Sequence, residues 1–317
     1  MTRGVTVAIV GAPDIAKELG KKGTASDLTL YNTVHDDAAI TLVEPTQFPE
    51  KFPPLLTALA MADHCLLVVP ELSRPVAETI ATVELHDLPT TVVLGASVGD
   101  AEVGRAFKGS RLASAPRVPL DFPRLRDLVD GLASRTSDGP VRVPIDHAFP
   151  VKGVGAVALG VVRRGVLRAH ERLRLYPTPK SVEVRSLQVH DIDRKEANAG
   201  ERVGVAVKGV EADEISRGQT LAPEGSLVAG ATVAVGPLER CRYYRGDAGP
   251  GAQLHLALGL QVVPAILDEL SPTGARVTAD RPVVGAPGDV GYLLDLSVPA
   301  GPRLFARAVV RAAEASP

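Results

Sequence analysis

Two groups of residues in this 317-residue chain have the chemistry to act: a phosphate-loop remnant near the N-terminus and a run of arginines in the middle. An apolar strand at Val5–Val10 leads into Gly11-Ala12-Pro13-Asp14-Ile15-Ala16-Lys17-Glu18. A phosphate loop of the form GxxxxGK[ST] supplies backbone N–H groups around the phosphates, a lysine for their charge and a hydroxyl for Mg2+. Only Gly11 and Lys17 fit that pattern. Ala16 adds a side chain where backbone must approach, Pro13 deletes a donor, Asp14 adds repulsion, and Glu18 puts a carboxylate where the hydroxyl belongs. In a second register, which we prefer, the loop is simply truncated and Lys17 is an exposed helix residue. The pair Gly20-Lys21 lacks both the upstream Gly and the downstream Ser or Thr.

The arginine run is Arg163, Arg164, Arg168, Arg172 and Arg174, with Lys180 and Arg185 beyond it and only Glu171 and Glu183 as acids in the same stretch. Arginine offers a bidentate fork to phosphate, which suits an RNA backbone. A solvated face of alternating strands would carry the same residues, and both readings stand. With aromatics at 3% and no Trp, stacking on bases has little to work with. His147, His170, His190 and His255 are scattered singly, without metal-ligand spacing, so no metal is expected. Tyr243-Tyr244 among Arg240, Arg242 and Arg245 fits an RNA contact or an edge-strand loop equally well.

The elements that must position these residues change character along the chain. In the first part apolar strands at Val5–Val10, Ile40–Val43, Cys65–Val69 and Thr91–Leu94 alternate with helical stretches at Leu55–Met61, Val76–Leu85 and Phe122–Leu132. Such alternation predicts a parallel sheet covered on both faces, in a P-loop-type arrangement. From Val143 to Leu221 short strands alternate apolar and polar residues, with Gly between them, as a small closed β-barrel requires. After Ala222-Pro223-Glu224-Gly225 the β pattern resumes at Ala231–Val235, Gln253–Leu260, Arg276–Ala279, Gly291–Leu296 and Arg303–Val310. The expected fold class is therefore α/β plus all-β, in domains 1–138, 141–222 and 223–317.

Composition excludes some classes. A net charge of -2 with 45% hydrophobic residues describes a globular protein, and no charge excess advertises indiscriminate nucleic-acid binding, so DNA is not an expected partner. The first strand begins within a few residues of Met1, leaving no room for a signal peptide, and no apolar run is long enough to span a bilayer. Cys65 and Cys241 fall in different expected domains and read as buried, reduced thiols. The expected location is cytoplasmic, away from any membrane.

The middle of the chain resembles the second domain of the EF-Tu/SelB translation GTPases. The resemblance is carried by Ile145-Asp146-His147-Ala148-Phe149, Val151-Lys152-Gly153-Val154-Gly155, Gly160, Arg185-Ser186-Leu187-Gln188-Val189-His190-Asp191, Ala199-Gly200-Glu201-Arg202-Val203-Gly204 and Arg217-Gly218. It implies a three-domain layout, a G-like domain followed by two barrels. Leu19 to Asn32 is similar to an archaeal SelB-like subgroup that includes the factor called EF-Pyl, and lies where the family's first switch belongs. There the switch threonine that closes on Mg2+ matches Ala25, with Thr24 as a stand-in. The family's DxPGH reads Glu44-Pro45-Thr46-Gln47-Phe48 here, so Glu44 takes the Mg2+ position and Phe48 the position of the histidine that orients water. The guanine-reading NKxD reads Gly95-Ala96-Ser97-Val98-Gly99-Asp100, with Asp100 displaced by two residues and Ser114-Ala115 near a third base-contacting loop.

The resemblance thus implies a SelB-like elongation-factor paralogue whose GTPase motifs are degenerate, with no catalytic residue and no expected cofactor. Its vestigial nucleotide positions are Gly11, Lys17, Thr24 and Glu44, and a rival reading keeps weak GTP or GDP binding with Mg2+ there. Expected partners are tRNA, the ribosome or a translation factor. A divergent but genuine GTPase and a protein-binding scaffold outside translation are the alternatives.

Overall fold

A computed structural model describes residues 3–35, 38–135, 137–299 and 301–315. It divides into two compact units, one built on Met1–Ser134 and the other on Arg135–Pro299 with Arg303–Pro317. Among the described residues no helix is long and apolar enough to cross a membrane.

The first unit contains strands β1 (Arg3–Val10), β2 (Lys21–Ala25), β3 (Thr29–His35) and β4 (Ala38–Glu44), then helix α1 (Pro53–Met61) and β5 (His64–Val69). It continues with α2 (Arg74–Leu85), β6 (Thr90–Leu94), α3 (Asp100–Ala106), β7 (Arg117–Pro119) and α4 (Phe122–Asp130). The sheet order is β2-β3-β4-β1-β5-β6-β7. Strands β4, β1, β5, β6 and β7 run parallel as expected, but β3 pairs antiparallel with both β2 and β4. The four strands expected are parallel, and the β2–β3 hairpin adds an antiparallel edge that the sequence pattern did not include, for a local reason. No α-helix follows β1; a single 3-10 turn at Ala16–Glu18 takes its place, and the chain returns at once as a hairpin. On one face of the sheet, Val5, Val7 and Ile9 pack with Leu125 and Val129 of α4, and Ile15, Ala16 and Leu19 of the turn fill the remainder of that layer. Helix α1 packs on β1 from its own side and touches α2.

The second unit holds two barrels. The first comprises β8 (Val143–Val151), β9 (Gly155–Val161), β10 (Val166–Arg168), β11 (Arg172–Tyr176), β12 (Ser181–Val189), β13 (Ile192–Arg194), β14 (Glu196–Asn198), β15 (Arg202–Lys208) and β16 (Thr220–Ala222). Its ring runs β11-β16-β8-β9-β15-β12 and closes through the β11–β12 pairing, with β13 on the flank and β10–β14 as a separate ribbon. Gly160 shows why glycine is needed: a Cβ there would stand 2.3 Å from the Pro144 carbonyl oxygen across the β8–β9 pair. The second barrel, β17 (Val228–Arg240), β18 (Gln253–Leu258), β19 (Gln261–Ser271), β20 (Gly274–Gly285), β21 (Val290–Leu294) and β22 (Leu304–Ala315), closes in the order β17-β20-β19-β18-β21-β22. Each barrel has its own apolar core. A smaller cluster of Tyr176, Ala222, Leu227 and Val284 and a fork from Arg142 Nη1 to both carboxylate oxygens of Asp289 (2.9 and 2.8 Å) join the two barrels. The α/β sheet followed by two small β-barrels is the fold class expected.

Candidate functional site

The loop after β1 is the first place to look for phosphate chemistry. Gly11 has φ +98°, and a Cβ on it would fall 2.2 Å from the Val68 carbonyl oxygen, so only glycine lets β1 turn this close to β5. Asp14 also takes a left-handed conformation, φ 65°, which turns the following amides inward. The Ala16 N–H donates to Glu44 Oε1 at 2.6 Å, and the Ile15 and Asp14 amides also bond this carboxylate. Glu44 closes β4 and is 6% exposed. Burial pushes its carboxyl above the usual range, the three amides pull it back, and the Asp14 charge adds to the rise. Tyr31 is raised as well, chiefly by burial, then by the Glu44 and Asp14 charges.

The four vestigial positions do not converge. Gly11 and Glu44 serve the same loop, but Lys17 points its ammonium at Asp14 (3.5 Å) from a half-exposed position, an ion pair worth little in water. Thr24 lies on the edge strand β2, and its neighbour Ala25 pairs in the sheet with Thr29. The preferred register, with Lys17 exposed after a shortened loop, matches the position seen, in a 3-10 turn rather than an α-helix.

The segment after Glu44 is tied down by contacts of its own. Thr46 and Thr29 share a hydroxyl hydrogen bond of 2.6 Å, the Gln47 N–H donates to the Asp27 carbonyl (3.1 Å), and Phe48 meets Phe52 edge-on, with centroids 6.4 Å apart. At the end of β6, Val98 is buried and Gly95 is pressed against Pro70. Asp100 accepts from Arg117 Nη1 at 2.7 Å, and Arg117 also sits over the Phe107 ring, so this exposed carboxylate already has a cation partner.

The five barrel arginines differ in how far the fold already engages them. Arg164 Nε donates to the Asp138 carbonyl (2.7 Å). Arg174 is held three ways: Nη1 to Glu224 (2.6 Å), Nε to the Thr178 carbonyl (2.8 Å), and its guanidinium stacked 4.8 Å over Tyr176. Arg163 is half-buried and has interactions of its own. Arg168 is exposed with a loose 3.7 Å approach to Glu196, and Arg172 is exposed opposite Glu183 in the β11–β12 register.

A second charged cluster lies nearby that the sequence reading did not single out as a site. Asp146 is 2% exposed; its Oδ1 accepts from Arg202 Nη2 at 2.7 Å, and His147 Nδ1 lies 2.9 Å from the same oxygen. Arg217 Nε donates to the Asp146 carbonyl at 3.2 Å. His190 is held below its ordinary pKa, first by burial and then by the Arg202 charge, with Asp191 opposing. On the outer face of β8 beside His147 stands Phe149, 41% exposed. The adjacent dipeptides Asp146-His147 and Glu201-Arg202 were the available signal, read only as marks of the fold. Among the described residues no group of three or more His, Cys, Asp or Glu could hold a metal.

Comparison with known proteins agrees with this architecture. Residues 155–222 match the family model for Elongation factor Tu domain 2. The uncharacterized protein MJ0325 of Methanocaldococcus jannaschii is 33% identical over 295 residues, covering 92% of this chain and 95% of that one. The selenocysteine-specific elongation factor of the same organism is 28% identical over 285 residues, 82% of this chain but 61% of that protein, which is therefore considerably longer. The crystal structure of translation elongation factor SelB from Methanococcus maripaludis in complex with the GTP analogue GppNHp superposes with a TM-score of 0.82 over 99% of this chain and 80% of that one, at 21% identity. With its sheet, its two barrels and near-full-length identity to MJ0325, the chain belongs to the SelB-like branch of the EF-Tu family.

Proposed function

We propose that this chain is a SelB-like paralogue that has left the GTP cycle and acts in translation through its two barrels. The observation that carries the reading is the turn after β1. A phosphate cradle needs a row of free amides running into a helix; here a three-residue 3-10 turn stands in place of that helix, Ile15, Ala16 and Leu19 pack on the sheet, and the Ala16 amide is already bonded to Glu44. Asp100, bonded to Arg117, and Phe48, packed on Phe52, remove the base-reading and water-orienting chemistry from the same unit. GTP and GDP affinity is expected to be millimolar or absent, and titration calorimetry with Mg2+ checks it.

The partner contact falls to the barrels, with aminoacyl-tRNA, the ribosome or a translation factor as candidates by family. Arg168 and Arg172, exposed like Arg164 but without its bond to the Asp138 carbonyl, are the ones to test. If both meet phosphates, converting them together to Ala lowers the log–log salt slope of tRNA binding by about two, because each neutralised phosphate releases counterions. Filter binding of tRNA at several salt concentrations reads this, and a flat, weak response in the unmutated protein would contradict it. A protein-binding scaffold is the second reading. The internal engagement of Arg174 favours it, since its Nε and Nη1 are both bonded within the fold.

A further inference from the structure

Glu44 is an unusual residue to find at the end of a buried strand. Every side-chain position of β4 is buried, and Glu44 alone brings a carboxylate, placed so that its oxygen meets the amide of Ala16. Two left-handed residues, Gly11 and Asp14, bend the loop whose Ala16 amide reaches Glu44 Oε1 at 2.6 Å, and the Ile15 and Asp14 amides act on the same carboxylate. Successive inward amides of this kind form an anion-binding concavity. In this fold the concavity is occupied by the chain itself.

We propose that Glu44 is the resident anion of the loop after β1, an autoinhibitory contact that fills the place a phosphate-type ligand would take. A carboxylate oxygen and a phosphate oxygen satisfy the same N–H donors, so the two compete for the Ala16 amide. The contact also fastens the end of β4 to the loop 28 residues earlier without any ligand. The inference rests on the nucleotide-free reading above, and its test is arranged to fail separately.

The experiment uses the full chain with two substitutions. Glu44→Ala removes the carboxylate and opens its space; Glu44→Met removes the acceptor but keeps the volume. Inorganic pyrophosphate is the probe in calorimetry, and hydrogen exchange reads the amides of residues 14–16. Glu44→Ala is expected to bind pyrophosphate about tenfold or more tighter than the unmutated protein, while Glu44→Met binds no better than it. Glu44→Met should exchange these amides about tenfold faster, because three donors lose their acceptor. Unchanged exchange in Glu44→Met overturns the proposal even where Glu44→Ala does not fold. A folded Glu44→Ala no better than its parent also overturns it, and does so alone. Tight GTP binding by the unmutated protein defeats the nucleotide-free reading together with this one.

Discussion

Glu44 at the loop after β1 and Asp146 in the first barrel are both buried carboxylates, and they are neutralised in opposite ways. Glu44, 6% exposed, meets only backbone amides; Asp146, 2% exposed, meets the Arg202 guanidinium and the His147 ring. Amide dipoles are weaker than a full positive charge, so burial wins at Glu44 and its carboxyl is pushed up. The Asp146 site pairs charge with charge. The first arrangement ties the end of β4 to a loop, whereas the second keeps a charged cluster beside exposed Phe149. A buried carboxylate is thus no guide to function until its partners are named.

The largest consequence of the difference should appear when Asp146 is neutralised. Asp146→Asn leaves Arg202, 11% exposed, without its charge partner, and should cost about 3–5 kcal/mol in denaturant unfolding of the barrel unit. The double variant Asp146→Asn with Arg202→Met should recover part of that loss, since an unpaired buried charge is then gone; no recovery would mean that packing, not charge, holds the cluster.

Glu44→Met comes next, at about 1–3 kcal/mol, because it strands neutral donors rather than a full charge. The pH dependence has the opposite sign from a salt-bridged acid. Because the folded pKa of Glu44 is raised, its contribution to stability is fully present below the ordinary carboxyl range and is lost as pH rises through the raised value. Stability of the first unit measured across that window should fall with rising pH, and Glu44→Gln should flatten the fall. A slope unchanged by Glu44→Gln would assign it to other groups. Lys17→Ala gives the smallest effect, under about 0.5 kcal/mol, since its pair with Asp14 is exposed.

Much of this was legible from composition and period. The strands β1, β4, β5 and β6 are mainly apolar runs, and Pro53-Pro54 marks the start of α1. The hairpin of β2 and β3 was not seen, because Lys21-Lys22-Gly23-Thr24-Ala25 is polar and exposed and draws its pairing from β3 alone. β19 was also missed: Pro264 argues against a strand, yet it sits exposed, and Gly259 at φ 59° turns β18 directly into β19. The site was harder. Residue types showed that Gly11 and Lys17 were isolated remnants, but the bonds that decide the chemistry join residues 28 apart, Ala16 to Glu44, and 56 apart, Arg202 to Asp146. Local pattern carries no information about pairs so distant. The engagement of Arg174 was hidden for the same reason, since Glu224, which takes it, lies 50 residues on.

The central claim is that the first unit no longer takes nucleotide, and titration calorimetry of the unmutated protein with GTP and Mg2+ tests it most directly. The closed loop predicts no saturable heat below the millimolar range; submicromolar binding would contradict it.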